Sequence, residues 1–220
     1  MQKPNLVIFD CDGVLVDSEG IFNVILARSL SAHGLPITPA ECMALFVGGT
    51  MSNVKSIAEQ RGAKLGPDWI DQVYEESYAE FRKGVAIIDG ITELLDMLDA
   101  NGISYCIGSN GRMAKMDITL GQNGLLDRFQ GRIFSAYEVG IAKPDPGLFL
   151  HAAQKMGVNP ARAIVIEDSL NGVTAANRAG IKCYGYAHEG DGSALAAQNA
   201  TVIRSMRELP TLLDLTPIPQ

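Results

Sequence analysis

Short apolar runs alternate with amphipathic stretches over most of this chain. The runs are Leu6–Phe9, Ser104–Gly108, Arg132–Phe134, Ala163–Ile166, Lys182–Tyr186 and Ala200–Ile203, and their length and bounding residues read as buried strands. Between them, apolar residues recur at helical spacing. Ile91, Leu94, Leu95 and Leu98 form one stripe before Gly102, and Phe149, Ala152, Ala153 and Met156 form another before Gly157. Leu170, Val173 and Thr174 make a shorter stripe ended by Gly180, and Ser205-Met206-Arg207-Glu208 has the form of a capping box opening a last helix. Alternation of this kind predicts an α/β fold, with a doubly wound, mostly parallel, Rossmann-like core sheet and right-handed crossovers.

One segment breaks the rhythm. Residues 17–85 offer no strand and read instead as successive helices. Phe22, Ile25, Leu26 and Leu30 form a stripe stopped by Gly34 and Pro36. Thr38-Pro39-Ala40-Glu41 then supplies a cap, a proline at the first helical position and a capping-box Glu, and Ile70, Val73, Tyr74 and Phe81 mark a further helix. A crossover so long is uncommon and usually functional. The expected division is an α/β core from residues 1–16 and 86–220, with a helical second domain, residues 17–85, inserted between them.

Composition narrows the classes. A chain of 220 residues, 47% hydrophobic and 20% charged, can bury a full core. No apolar run reaches the length of a membrane span, and the N-terminus lacks a signal-peptide pattern. The four cysteines, Cys11, Cys42, Cys106 and Cys183, have no metal-ligand spacing and read as reduced thiols, so a cytoplasmic location is expected. The three histidines, His33, His151 and His188, are scattered. A formal net charge of −7 argues against nucleic acid as a partner, and no membrane partner is expected. An anionic small substrate stays compatible, because one cation and one lysine can reverse the local field.

The candidate chemistry lies where the strands end. Asp10 and Asp12 follow the first run as Asp10-Cys11-Asp12-Gly13-Val14. Residues two apart on a strand share a side, so both carboxylates would enter one space. Their repulsion is relieved by a cation or by one carboxyl keeping its proton. A plain turn is the alternative. A calcium loop fails, because Val14 and Ile21 stand where ligands belong. The second run leads to Ser109-Asn110-Gly111, suited to a phosphate oxygen or simply to a helix cap. Lys143-Pro144-Asp145-Pro146 follows the third run, and its lysine is either a phosphate ligand or solvated. Glu167-Asp168-Ser169 closes the fourth, where the acids can complete an oxygen shell for Mg²⁺ or cap a helix. Together these residues can hold a metal and a phosphoryl group at one carboxylate.

In order and context, Asp10-Cys11-Asp12-Gly13-Val14, Ser109-Asn110, Lys143-Pro144 and Glu167-Asp168 resemble the four motifs of the haloacid dehalogenase-like hydrolase superfamily. The helical insert resembles the cap of its branch of β-phosphoglucomutases and sugar-phosphate phosphatases. The resemblance implies a phosphatase acting on a small phosphorylated metabolite, a sugar phosphate by class. Asp10 would be the nucleophile and Asp12 the acid and base. Asp10, the Asp12 carbonyl and Asp168 would hold Mg²⁺, with Glu167 as ligand or neighbour, and Ser109, the Asn110 backbone and Lys143 would grip the phosphoryl oxygens.

An Asp at position 12 sets the chain apart from the dehalogenases and phosphonoacetaldehyde hydrolases. Similar mutases carry a His and an Arg where Phe22 and Met51 stand here, which favours hydrolysis over phosphosugar mutation. A phospho-accepting receiver domain would lack the insert, and a non-catalytic sugar-phosphate binder would not need every catalytic group. On the Gly48-Gly49-Thr50-Met51-Ser52 turn, Gly49, Thr50 and Ser52 are candidate contacts to the leaving group. A glycine-rich connector with a capping residue is the alternative. Nothing in the sequence bears on oligomeric state.

Overall fold

A computed structural model of the chain describes residues 3–46 and 48–216. The chain order is β1 (Leu6–Phe9), then α1 (Glu19–Ala32), α2 (Pro39–Phe46), α3 (Met51–Gln60), α4 (Trp69–Phe81) and α5 (Ile91–Ala100). It continues with β2 (Ser104–Ser109), α6 (Met113–Gly121), β3 (Ile133–Ser135), α7 (Ala136–Val139), α8 (Gly147–Lys155) and β4 (Ala163–Glu167). The last elements are α9 (Leu170–Arg178), β5 (Lys182–Tyr186), α10 (Ser193–Ala197), β6 (Thr201–Ile203) and α11 (Leu209–Leu212).

Each expected strand forms, with boundaries shifted by at most a residue. They make one six-stranded sheet in the order β3-β2-β1-β4-β5-β6, and every pairing is parallel. β1 runs up the middle, with Phe9 opposite Ile107 of β2 on one side and Ile166 of β4 on the other. Strand order reverses beside β1, which is where open α/β sheets place their ligands.

Alternation along the strands assigns the two cores. Val7, Phe9, Tyr105, Ile107, Ile164 and Ile166 share one cluster with Leu94, Leu95 and Leu98 of α5 and Met116 and Leu120 of α6. Leu6, Ile8, Cys106 and Val165 share the other with Phe149 of α8, Val173 of α9 and Leu195 of α10. Helices on both faces explain why these strands are apolar throughout rather than alternating with polar residues. Ser205 and Glu208 form the expected capping box, which opens a single 3₁₀ turn, Met206–Glu208, running into α11.

Among the described residues, 19–81 hold four helices and no strand. Thr38 and Glu41 cap α2 reciprocally: the Thr38 N–H donates to Glu41 Oε2 at 2.8 Å, and the Glu41 N–H donates to Thr38 Oγ1 at 3.2 Å. Leu26 and Leu30 of α1 and Trp69, Val73 and Phe81 of α4 are buried together, and the Trp69 indole donates to Ser29 Oγ at 2.9 Å. The connections into and out of this segment run side by side. Asp17 N–H donates to the Ala86 carbonyl at 2.9 Å and Ile88 N–H to the Leu15 carbonyl at 3.0 Å, around an antiparallel bridge between Val16 and Ile87. That pairing is too short to read from the sequence. Among the described residues no helix is long and apolar enough to cross a membrane, and all four cysteines are free and buried.

Candidate active site

β1 delivers the acid pair. Beyond Phe9 the Asp10 N–H still donates to the Ile166 carbonyl at 3.0 Å, so the first acid is fixed in strand geometry. Asp10 and Asp12 line one cavity of about 90 Å³, while Cys11 between them points into the core. The expected alternation therefore holds. Gly13 follows with φ +73°, and a Cβ there would lie 2.0 Å from Asp168 Oδ2. Only glycine permits both the turn and that approach.

Three further strand ends converge on Asp10. Lys143 is 4% exposed, and its Nζ lies 2.8 Å from Asp10 Oδ1 and 2.6 Å from Glu167 Oε1. Its peptide bond to Pro144 is cis, and α7 intervenes between β3 and this loop. The Asn110 side chain holds the lysine's backbone: Oδ1 accepts the Lys143 N–H at 2.9 Å, and Nδ2 donates to the Lys143 carbonyl at 3.1 Å. Ser109 is buried at the end of β2, and its Oγ accepts the Gly111 N–H at 3.0 Å. Ser135, at the end of β3, secures the same turn by donating to the Gly111 carbonyl at 2.7 Å.

Carboxylates outnumber cations here. Asp10, Glu167 and Asp168 each place a carboxylate oxygen within 4.8 Å of the others. Burial pushes the Asp10 carboxyl up to about 6; Lys143 opposes the shift, and Glu167 and Asp12 add to it. Asp168 is also raised well above the carboxylate range by burial, then by Glu19, Glu167 and Asp10. Asp10 Oδ1 has the Lys143 ammonium, 2.8 Å away, as its close partner. Clustered carboxylate oxygens that resist ionising fit a hard cation with oxygen ligands. Glu167 lies in the same cluster, yet both its oxygens are engaged. Oε1 takes Lys143 Nζ, and Oε2 accepts the Ser169 N–H at 2.6 Å and Ser169 Oγ at 2.9 Å.

Sequence reasoning missed three residues. Ser18 stands at the N-cap of α1 but makes no cap; its hydroxyl donates to Asp12 Oδ1. Lys115, 7% exposed on α6, brings Nζ within 2.8 Å of the same oxygen. Glu19 lines the cavity, and burial, then Asp12, raises its carboxyl to about 8. Each had a duller reading from sequence alone, as a cap, a helix-surface lysine and a first-turn acid. One signal was available for Lys115: Lys115 and Thr119 fall one turn apart beside the buried stripe of Met116 and Leu120.

The far wall of the cavity comes from the helical segment, with Phe22, Asn23 and Leu26 of α1, Phe46 of α2, Met51 and Val54 of α3 and Tyr74 of α4. Gly48 and Gly49 contribute, but Thr50 and Ser52 are absent from the lining. The structure thus does not bring those two expected residues to the cavity. The Thr50 hydroxyl caps α3 by accepting the Asn53 N–H at 3.3 Å, and Ser52 is exposed. The turn seats on the core at Gly48, whose carbonyl accepts from Asn110 Nδ2 at 3.1 Å and Asn171 Nδ2 at 3.2 Å. With φ +72°, a Cβ at Gly48 would come within 2.5 Å of Ser169.

Known proteins share this arrangement of elements. A family model described as haloacid dehalogenase-like hydrolase matches residues 4–180. The 6-phosphogluconate phosphatase of Escherichia coli is 29% identical over 214 residues, spanning 96% of each chain. A HAD family hydrolase from Deinococcus radiodurans, solved with bound phosphate and sodium, is 33% identical with a TM-score of 0.78, covering 99% of this chain and 100% of that one. The β-phosphoglucomutase of Clostridium difficile is 26% identical with a TM-score of 0.78, covering 94% and 93%. With the family model matching residues 4–180, and Asp10, Asp12, Ser109, Asn110 and Lys143 lining one cavity, the chain belongs to the haloacid dehalogenase-like hydrolases.

Proposed function

We propose that the chain is a Mg²⁺-dependent phosphatase that hydrolyses a small sugar phosphate through an aspartyl-phosphate on Asp10. The observation that carries this reading is Asp10 itself, buried with the Lys143 ammonium 2.8 Å away and with carboxylate oxygens of Glu167 and Asp168 within 4.8 Å. An Asp10 oxygen attacks phosphorus while the bond to the sugar oxygen breaks, and Asp12 gives that oxygen its proton. Asp12 then takes a proton from water as water attacks phosphorus, and the bond to Asp10 breaks to release phosphate. Ser109, with its hydroxyl hydrogen, the Asn110 backbone N–H and Lys143 hold the phosphoryl oxygens. Asp10, the Asp12 carbonyl and Asp168 would hold the metal, and Glu167, with its oxygens engaged, orients Lys143. Bound there, Mg²⁺ would offset the negative charge of the acids and of the phosphoryl group.

Residues 17–85 act as a cap over a core made of 1–16 and 86–220, and the paired connections at Val16 and Ile87 suit a hinge. The cap wall faces the leaving group. Phe22 and Met51 are part of that wall and provide neither a base nor a cation, so hydrolysis is favoured over a mutase cycle. The relatives' named substrates support the sugar-phosphate class. The test is phosphate release from a panel of phosphorylated sugars and polyols, with Mg²⁺ and with chelator. Turnover should require the metal, and Asp10→Asn should abolish it while leaving the fold intact. Steady-state hydrolysis by purified Asp10→Asn would refute the mechanism.

A further inference from the structure

The two oxygens of Asp12 have different surroundings. Oδ1 receives the Ser18 hydroxyl and lies 2.8 Å from Lys115 Nζ. Oδ2 faces the phosphoryl-binding turn, since a Cβ built on Gly111 would lie 3.4 Å from Oδ2 and 3.3 Å from Ser109 Oγ. One oxygen is thus held and the other presented. Lys115 is itself confined: its Nζ lies 5.1 Å from the centre of the Phe22 ring and 5.4 Å from that of Phe81, distances at which an ammonium is attracted to a ring face. These rings belong to α1's buried side and to the end of α4, while Lys115 comes from α6 of the core.

From this geometry we infer that Lys115 is a positioning residue, which with Ser18 anchors Asp12 Oδ1 so that Oδ2 meets the leaving-group oxygen. The inference rests on the phosphatase reading above and adds to it how the acid is aimed. A carboxylate on one Cβ can turn about two bonds, and proton transfer needs the donor within about 2.6–3.2 Å of its acceptor. Lys115 also lines the cavity and feels the Glu19 charge, but the carboxylate oxygen it closes on, at 2.8 Å, is Asp12 Oδ1. Because its ring contacts are to the helical segment, the anchor is complete when that segment lies over the core as it does here.

Lys115→Met keeps the length and apolar stem of the side chain and removes the contact to Oδ1. The experiment compares kcat/KM for p-nitrophenyl phosphate, whose leaving group needs no proton, with that for glycerol 2-phosphate, whose leaving group does. The expected loss is larger on the alkyl ester by about 10- to 10²-fold, a fraction of what a full acid contributes. Ser18→Ala should give the same bias with a smaller ratio. A common loss on both esters, or no loss on glycerol 2-phosphate, overturns the assignment. Should Lys115→Met fail to fold by circular dichroism, Ser18→Ala decides by the same criterion. Absence of phosphate release by the unaltered protein from both esters and from the whole panel of phosphorylated sugars would defeat the phosphatase reading itself, whereas normal turnover with unbiased variants defeats only this inference.

Discussion

To attack phosphorus as proposed, Asp10 must be ionised, yet burial raises its carboxyl to about 6 and only Lys143 opposes that shift. A cation among Asp10 and Asp168 would remove the conflict, since an adjacent positive charge favours the ionised form. In the proposed mechanism Asp12 has the other task, giving and taking a proton, and its environment holds both a hydroxyl and an ammonium. Asp12→Ala should therefore slow steady-state turnover of alkyl phosphates by about 10²–10⁴-fold. It should slow the first, phosphorylating step much less with an aryl phosphate. Rapid-quench measurement of that step checks this, and equal losses with good and poor leaving groups would remove Asp12 from the acid role.

Among the elements, the turn before α3 divides structure from specificity. Thr50 is the N-cap of α3, and removing such a cap costs about 1 kcal/mol. Thr50→Ala should lower the urea midpoint accordingly while leaving the ratio of kcat/KM values among sugar phosphates as it was. Met51→Ala, at the cavity wall, should change that ratio. The reverse pattern would restore Thr50 as a substrate contact. The sequence showed Gly48-Gly49-Thr50-Met51-Ser52 as a turn, but its side-chain directions depend on how Gly48 docks against Ser169 and Asn110, partners more than sixty residues away. The strands were legible because each is an apolar run with a polar end, and α1, α2 and α4 because their stripes and caps are local. Arg112 could not be read that way. It stands beside the phosphoryl turn but extends to Asp71 at 2.8 Å and lies 4.1 Å from the Tyr74 ring centre, joining the core to α4.

For the whole molecule, the excess of acids over cations at one cavity has a thermodynamic consequence. Asp10 and Glu19 rise from ordinary values of 3.8 and 4.5 to about 6 and about 8. Folding therefore strengthens their hold on protons, and the stability this gives is complete below the ordinary values. It is lost as pH rises through about 6 for Asp10 and about 8 for Glu19. Lys143 is raised and stays charged across this range, so it adds no slope. Metal-free protein should melt at a lower temperature at pH 8 than at pH 5. Mg²⁺, which favours the ionised acids and releases their protons, should raise the melting temperature more at pH 8. Differential scanning fluorimetry with chelator and with Mg²⁺ reads both. A Mg²⁺ shift that does not vary with pH would contradict the assigned ligands. The acid pair, the strand ends and the helical insert were visible in order along the chain. What the sequence could not show was charge balance, because Glu19, Lys115 and Ser18 enter the site only through the packing of α1 and α6 over β1.

The covalent intermediate is the claim on which the rest depends, and it can be trapped. In Asp12→Ala the phosphorylated enzyme should accumulate with p-nitrophenyl phosphate, because forming it needs no acid and hydrolysing it needs the missing base. Quenching the mixture, reducing the acyl phosphate with borohydride and mapping peptides by mass spectrometry should find homoserine in place of Asp10. A burst of p-nitrophenol with Asp10 unmodified, or with the modification at another residue, would contradict the account.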